Sequence, residues 1–258
     1  MPEIDDLYKT QPFTEAIDFV ESKIALDTDG WRDGAGDIQD AFFTSAGAKG
    51  DMLNQIHQAV TEAITLGRRP EEFAAQFEKI AEGWEGNTPW RANLIYFQNL
   101  RQAYAVGRAE YQFDPDVLAA FPFLQAVHSG AEEARPIHLW MDQKVWPAES
   151  VPLHFPDGFG CGCRYISLGQ SDIDAEGLEV QAVAAGDRVE VRLPDGQTLS
   201  PVVQPTPGFD YQPGASARGQ RRRDLIERVA ARSAAPLAEA LRTFVEYLLR
   251  TEEAGDDG

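Results

Sequence analysis

The chain has 258 residues, of which 42 are Asp or Glu against 23 Lys and Arg, giving a formal net charge of −19. Such an excess of acid excludes the broad basic face on which nucleic-acid-binding domains neutralise phosphate, so any contact with nucleic acid must be local. Apolar and charged fractions of 43% and 25% are those of a globular chain with the length for a sizeable core, and no stretch approaches the roughly 20 apolar residues of a membrane helix.

The acidic opening MPEIDDLYKTQPF carries no apolar stretch of a secretory signal, so residence in the cytoplasm of the producing cell is expected. Residues 12–26, PFTEAIDFVESKIAL, place Phe13, Ile17, Val20 and Ile24 on one helical face, closed by Asp27-Thr28-Asp29-Gly30. A second helix is predicted over Asp37 to Gly47, through the segment AFFTSAG. The third, Asp51 to Leu66, has the cleanest period: Leu53, Ile56, Val60, Ala63 and Ile64 recur at three and four, and Gly67 stops it. Pro70-Glu71-Glu72 opens a fourth helix, with proline in the first turn, acids against the helix dipole, and Phe73, Phe77 and Ile80 as its stripe. A long fifth helix is expected from about Trp90 to Gln112, with Leu94, Phe97, Leu100 and Tyr104 on its apolar face. Its Asn99, Arg101 and Arg108 are read as side chains that cross-link neighbouring loops.

From Phe113 to Leu168 the period fades under Pro115, Pro122, Pro136, Pro147, Pro152 and Pro156. Order there must come from packing, with strand character expected at Gln143 to Trp146 and Cys163 to Leu168. Asp187 to Val203 alternates around Pro194-Asp195-Gly196 and is expected to form a hairpin. A turn-rich tract then leads to a final amphipathic helix from about Arg222 to Glu253, which Pro236 kinks or splits. Trp31, Trp84, Trp90 and the Phe209 to Tyr211 pair are expected to anchor cores. The fold class is therefore α+β. Its parts are a helical stretch over 1–112, an irregular one over 113–178, a hairpin and turns over 179–214, and a terminal helix with an acidic tail over 215–258.

The sequence has no phosphate loop, dinucleotide fingerprint, nucleophile elbow or zincin helix. It does gather Arg135, His138, Asp142, Cys161, Cys163 and Arg164 within 30 residues. His138, Asp142, Cys161 and Cys163 are four potential ligands, enough to close a zinc shell, although Cys-x-Cys is tighter than the usual Cys-x₂₋₄-Cys, and His128 and His154 are substitute donors. The competing reading makes the cluster a brace: Asp142 pairs with Arg135 or Arg164, His138 hydrogen-bonds within the core, and the thiols pack. A third reading makes His138 a general base beside a cysteine or Asp142. The two cysteines are expected to be free thiols. One dense basic run, Arg218, Arg221, Arg222 and Arg223, is either a solvated helix start or a local contact to nucleic acid.

The blocks PFTEAIDFVESKIAL with DGWRD, AFFTSAG, IAEGWEGNTPWRANLIYFQNLRQAYAVGR, RPIHLWMDQKV, PDGFGCGCRYISL and PGFDYQPG occur in this order over most of residues 12–214. In content and order they resemble the Mu F-like head-morphogenesis (minor capsid) proteins of tailed phages and prophages. Gln143 stands where that family usually has glycine. The resemblance implies a low-copy head protein without enzymatic activity, found in the prohead interior. It would associate with the portal protein and other head proteins at the portal vertex, and assist head assembly and DNA packaging or ejection. A metal-dependent enzyme or toxin domain and a DNA-binding accessory protein are the alternatives that the residues leave open.

Overall fold

The computed structural model describes residues 14–21, 23–25, 41–42, 50–131 and 133–213. The fold is α+β, and its order follows the hydrophobic pattern. Helix α1 (Thr14–Glu21) leads to a two-residue strand β1 (Ile24–Ala25), paired in parallel with β2 (Ala41–Phe42). Then come α2 (Asp51–Thr65), α3 (Pro70–Ile80) and α4 (Pro89–Gln112). The expected first helix is thus shorter than its apolar period suggested. The expected helix at Asp37 to Gly47 is corrected at Ala41 and Phe42, which extend as β2, with Phe42 stacked on His57 at 4.7 Å between ring centroids.

Each helix buries one stripe. Leu53, Ile56, Ala59, Val60 and Ala63 line the inner face of α2, and Phe73 and Phe77 that of α3. With Phe19, Val20, Ile95 and Val106 they make one continuous core. Gly67, at φ +61°, takes the left-handed conformation that ends α2. Pro89 occupies the first turn of α4, and Thr88 caps it by accepting from the Arg91 N–H at 3.2 Å.

Helix α4 departs from the expected face. Its buried residues include Ala92, Ile95, Tyr96, Asn99, Ala103, Val106 and Ala109, so the stripe is rotated away from Phe97 and Tyr104. Small residues let α1 and α3 approach its axis closely. The bulky aromatics are left outside: Trp90, Phe97, Tyr104 and Tyr111 are 64%, 37%, 44% and 65% exposed. Trp90 is therefore not a core anchor, whereas Phe209 is buried and Trp84 packs against the first core.

The segment that looked irregular holds a second core. After α5 (Pro115–Ala120), strand β3 (Phe123–Val127) is the middle of an antiparallel sheet, between β4 (Val145–Pro147) and β5 (Arg164–Leu168). The register sets Leu124 opposite both Trp146 and Ser167. Leu124, Met141, Trp146, Leu153, Phe155 and Tyr165 fill this core, and the hairpin adds Val189, Val191 and Val203. That hairpin is β6 (Val191–Arg192) with β7 (Thr198–Leu199), turned at Gly196 with φ +86°. A short α6 (Pro136–Met141) precedes β4, and α7 (Gln170–Glu176) follows β5. The expected terminal helix and the arginine run Arg218 to Arg223 lie outside the described residues, as do Trp31 and the DGWRD turn.

Between α6 and β4, Gln143 is the one non-glycine residue with positive φ among those described, at +63°. Its backbone N–H donates to Ala126 O at 2.8 Å, which fixes this conformation against β3. An L-residue pays about 1 kcal/mol or more there and glycine almost nothing. Gln143→Gly is expected to raise stability by about 0.5–1 kcal/mol, after allowance for the greater freedom of the unfolded chain. Urea midpoints of the two proteins measure the difference.

Candidate functional site

The second core closes around His138. Pro136 starts α6 and sets the frame in which His138 and Met141, three apart, both point inward. The chain then passes through β4 and returns along Leu153 to Gly160, with Phe155–Pro156 cis, and delivers Cys161 and Cys163 to the same place before β5 begins. His138, Cys161 and Cys163 are 3%, 4% and 7% exposed. His138 Nδ1 lies 3.8 Å from Cys161 Sγ and 3.7 Å from Cys163 Sγ. On the other edge of the ring, Nε2 meets Asp157 Oδ2 at 3.1 Å.

Asp157 is itself buried and fixed. Its Oδ1 accepts from the Thr206 N–H at 2.6 Å, and its Oδ2 from the Thr206 hydroxyl at 3.2 Å. The histidine is therefore held between a carboxyl group and two sulfurs, with the Phe155 ring set edgewise at 5.4 Å. Burial lowers the pKa of His138, but the hydrogen bond to Asp157 and the contacts with Cys163 outweigh it, and the net direction is upward. Within the thiol pair Cys163 is the more acidic. The Cys161 thiol donates to it, and the Ser129 backbone and His138 add support against desolvation. Cys161 is pushed up by Cys163 and by burial.

Arginines brace the loop from outside. Arg135 Nη2 donates to Phe159 O at 3.0 Å, and its guanidinium covers Gly158 so closely that a Cβ there would meet Nη2 at 2.4 Å. Gly158, at φ +104°, is thus required by conformation, and a side chain there would also displace the Arg135 guanidinium. From α4, Arg101 Nη1 donates to Gly160 O and the Gln98 Oε1 accepts from Gly160 N–H, both at 2.9 Å. Gln112 Nε2 reaches Tyr165 O at 3.2 Å.

The structure redistributes the expected site. Arg135, His138, Cys161 and Cys163 come together, but Asp142 does not join them. Its Oδ1 accepts from the His128 N–H at 2.8 Å and from Gln143 Nε2, so it is neither a fourth ligand nor a partner of Arg135. Arg164 is exposed on β5, on the side of Arg108, whose pKa burial and then Arg164 both lower. Asn99 turns back along its own helix to Ile95 O, whereas Arg101 does reach a neighbouring loop. Asp157 and Gln112 carry no role in the sequence reading. Asp157 sits in the block PDGFGCGCRYISL, but before glycine it reads as a turn residue.

His154, named as a substitute donor, lies apart. It lines a cavity of about 20 Å³ with Arg108, Gln112 and Arg164, edge-on to Phe113 at 6.1 Å. Burial lowers its pKa from 6.5 to about 4. The unfolded chain therefore takes up a proton near pH 6.5 that the folded one refuses until about pH 4. Stability held above pH 6.5 is lost as pH falls across that window, by on the order of 3 kcal/mol. In His154→Leu that part of the acid-side slope is expected to vanish, as read from urea midpoints across the same pH range.

No helix among the described residues is long and apolar enough to cross a membrane. No family model matches the chain, and no solved structure matches it. Over an alignment of 159 residues it is 23% identical to the Mu-like prophage FluMu F protein of Haemophilus influenzae. That alignment takes in 55% of this chain but 38% of the relative, so the chain spans well under half of the relative's length. The chain is thus similar, over part of both proteins, to a prophage F protein.

Proposed function

We propose that this chain is a minor head protein of a tailed phage or prophage, of the Mu F-like type, acting in assembly and not as an enzyme. In this reading it meets the portal protein and other head proteins at the portal vertex. It forms in the host cytoplasm, enters the head interior, and assists capsid assembly and DNA packaging or ejection. The observation that carries the reading is the similarity to a Mu-like prophage F protein, together with the ordered blocks of the sequence.

Two features of the structure support it. The side chains with the most reactive chemistry, His138, Cys161 and Cys163, are each at least 93% buried. Meanwhile α4 presents Trp90, Phe97, Tyr104 and Tyr111 at intervals of seven along one side, a ridge of exposed aromatics. Aromatic side chains are enriched where protein surfaces meet, because each buries a large area with few rotors to freeze. A charge of −19 favours docking onto a basic protein surface over direct wrapping of DNA.

The test is to tag the chain in the producing strain and follow it through induction. It is expected to sediment with proheads and to cross-link to the portal. Trp90→Ala with Tyr111→Ala is expected to lower its incorporation at least tenfold without changing its circular dichroism. Heads made without the gene should be defective in packaging or infection. A tagged protein that stays in the soluble lysate, absent from proheads and particles alike, would overturn the proposal.

A further inference from the structure

We infer that His138, Cys161 and Cys163 form a zinc site that staples α6 to the turn before β5. This goes beyond the assembly role and stands whether or not that role holds. The three donor atoms lie within 4.8 Å of one another. Zinc bonds of about 2.3 Å to sulfur and about 2.0 Å to nitrogen, at a tetrahedral angle, put nitrogen and sulfur about 3.5 Å apart. The observed separations of 3.8 and 3.7 Å need only a small inward movement to match.

The donor set chooses the metal. Two thiolates and an imidazole are soft to borderline ligands, which favour zinc and disfavour the hard cations Mg²⁺ and Ca²⁺. The surroundings also fit. A metal-binding histidine almost always gives its second ring nitrogen to a carboxylate or carbonyl, which fixes the tautomer that leaves the other lone pair free. Here Nε2 faces Asp157, Nδ1 faces the two sulfurs, and Asp157 is anchored in turn by Thr206. Asp157 is thus a positioning residue and not a ligand. The three side chains supply three corners of the tetrahedron, and none of these residues fills the fourth. Asp142, which the sequence offered for that corner, is engaged with the His128 backbone.

The experiment uses the full chain, purified under reducing conditions with neither chelator nor a polyhistidine tag, from cells grown with added zinc. Elemental analysis is expected to find about one zinc per chain. After chelation, Co²⁺ added back should give the visible bands of a tetrahedral ion and the near-ultraviolet band of sulfur-to-cobalt charge transfer. Added zinc should then protect both thiols from alkylation. Cys161→Ser and Cys163→Ser should each lower the charge-transfer intensity to about half or less. Asp157→Asn should weaken zinc binding by about 10- to 100-fold while keeping both sulfurs on cobalt. The wild-type arms need no variant to fold. A reduced wild-type protein that holds no zinc after add-back, or shows no charge-transfer band with Co²⁺, would overturn the inference, as would serine variants that bind like the wild type.

Discussion

Trp146→Ala is expected to cost about 3–5 kcal/mol, a large share of the 5–15 kcal/mol by which a domain of ordinary stability is folded. Trp146 is fully buried on β4 and stands opposite Leu124 in the sheet register. It packs edgewise on Trp140 at 6.0 Å and touches the core that encloses His138. Truncation removes the largest buried side chain in that core and leaves a void that short strands cannot collapse to fill. It also strands Val183 O, which accepts the indole N–H at 3.1 Å. Trp146→Phe keeps most of the volume and loses mainly that hydrogen bond, so a cost of about 1–2 kcal/mol is expected. Urea unfolding followed by circular dichroism separates the two. Equal, small losses would show that the second core is not close-packed around this ring.

Asp157→Ala should rival it, at about 3–4 kcal/mol, without removing any apolar group. One carboxyl group here serves three donors: the His138 ring, the Thr206 backbone N–H and the Thr206 hydroxyl. Removing it leaves buried polar atoms unpaired, and the cost is their full desolvation and not the small net worth of a hydrogen bond. Asp157→Asn has the right shape and one acceptor oxygen, so about half of the loss should return. Thr206→Val, which removes only the hydroxyl, should cost about 1 kcal/mol. Chemical denaturation of the three variants at one pH gives the ranking. A surface-like loss below about 0.5 kcal/mol in Asp157→Ala would contradict the buried network.

How much of this was legible in advance depended on periodicity. Helices α2 and α3 are legible because Leu53 to Ala63 and Phe73 to Phe77 repeat at three and four, with Gly67 stopping the first and Pro70 starting the second. Helix α4 was legible as a helix but not in its facing. Large aromatics outvote alanines in any hydrophobic count, yet the alanines are what permit close packing, and the aromatics stayed outside. Strand β3 escaped notice because Leu124, Gln125 and Ala126 are buried consecutively. A central strand covered on both faces shows no alternation, and the polar Gln125 pays its way by donating to Gln143 O at 3.0 Å. Strands β1 and β2, two residues each, are too short to carry a period.

At the site the residue types were visible and their geometry was not. The sequence offered His138 with both cysteines, and the fold joins them across 23 and 25 positions. It also offered Asp142, which is nearer to His138 in sequence than Asp157 is, but the turn at Gln143 carries Asp142 toward the His128 backbone. Nearness along the chain was the misleading cue. Which of two carboxyl groups meets a histidine is decided by the path of the loop, and Gly158 and Arg135 hold that path.

Helix α4 is part of the first core and is hydrogen-bonded to the second half. Ile95, Tyr96, Ala103 and Val106 complete the first, while Gln98, Arg101 and Gln112 clamp the loop and strand of the second. Hydrogen bonds from this helix tie the second half to the first, so opening one half loosens contacts of the other. Heat or pulling force should therefore meet a single breaking point and not two. A partner gripping the aromatic ridge would be gripping a helix that touches both halves.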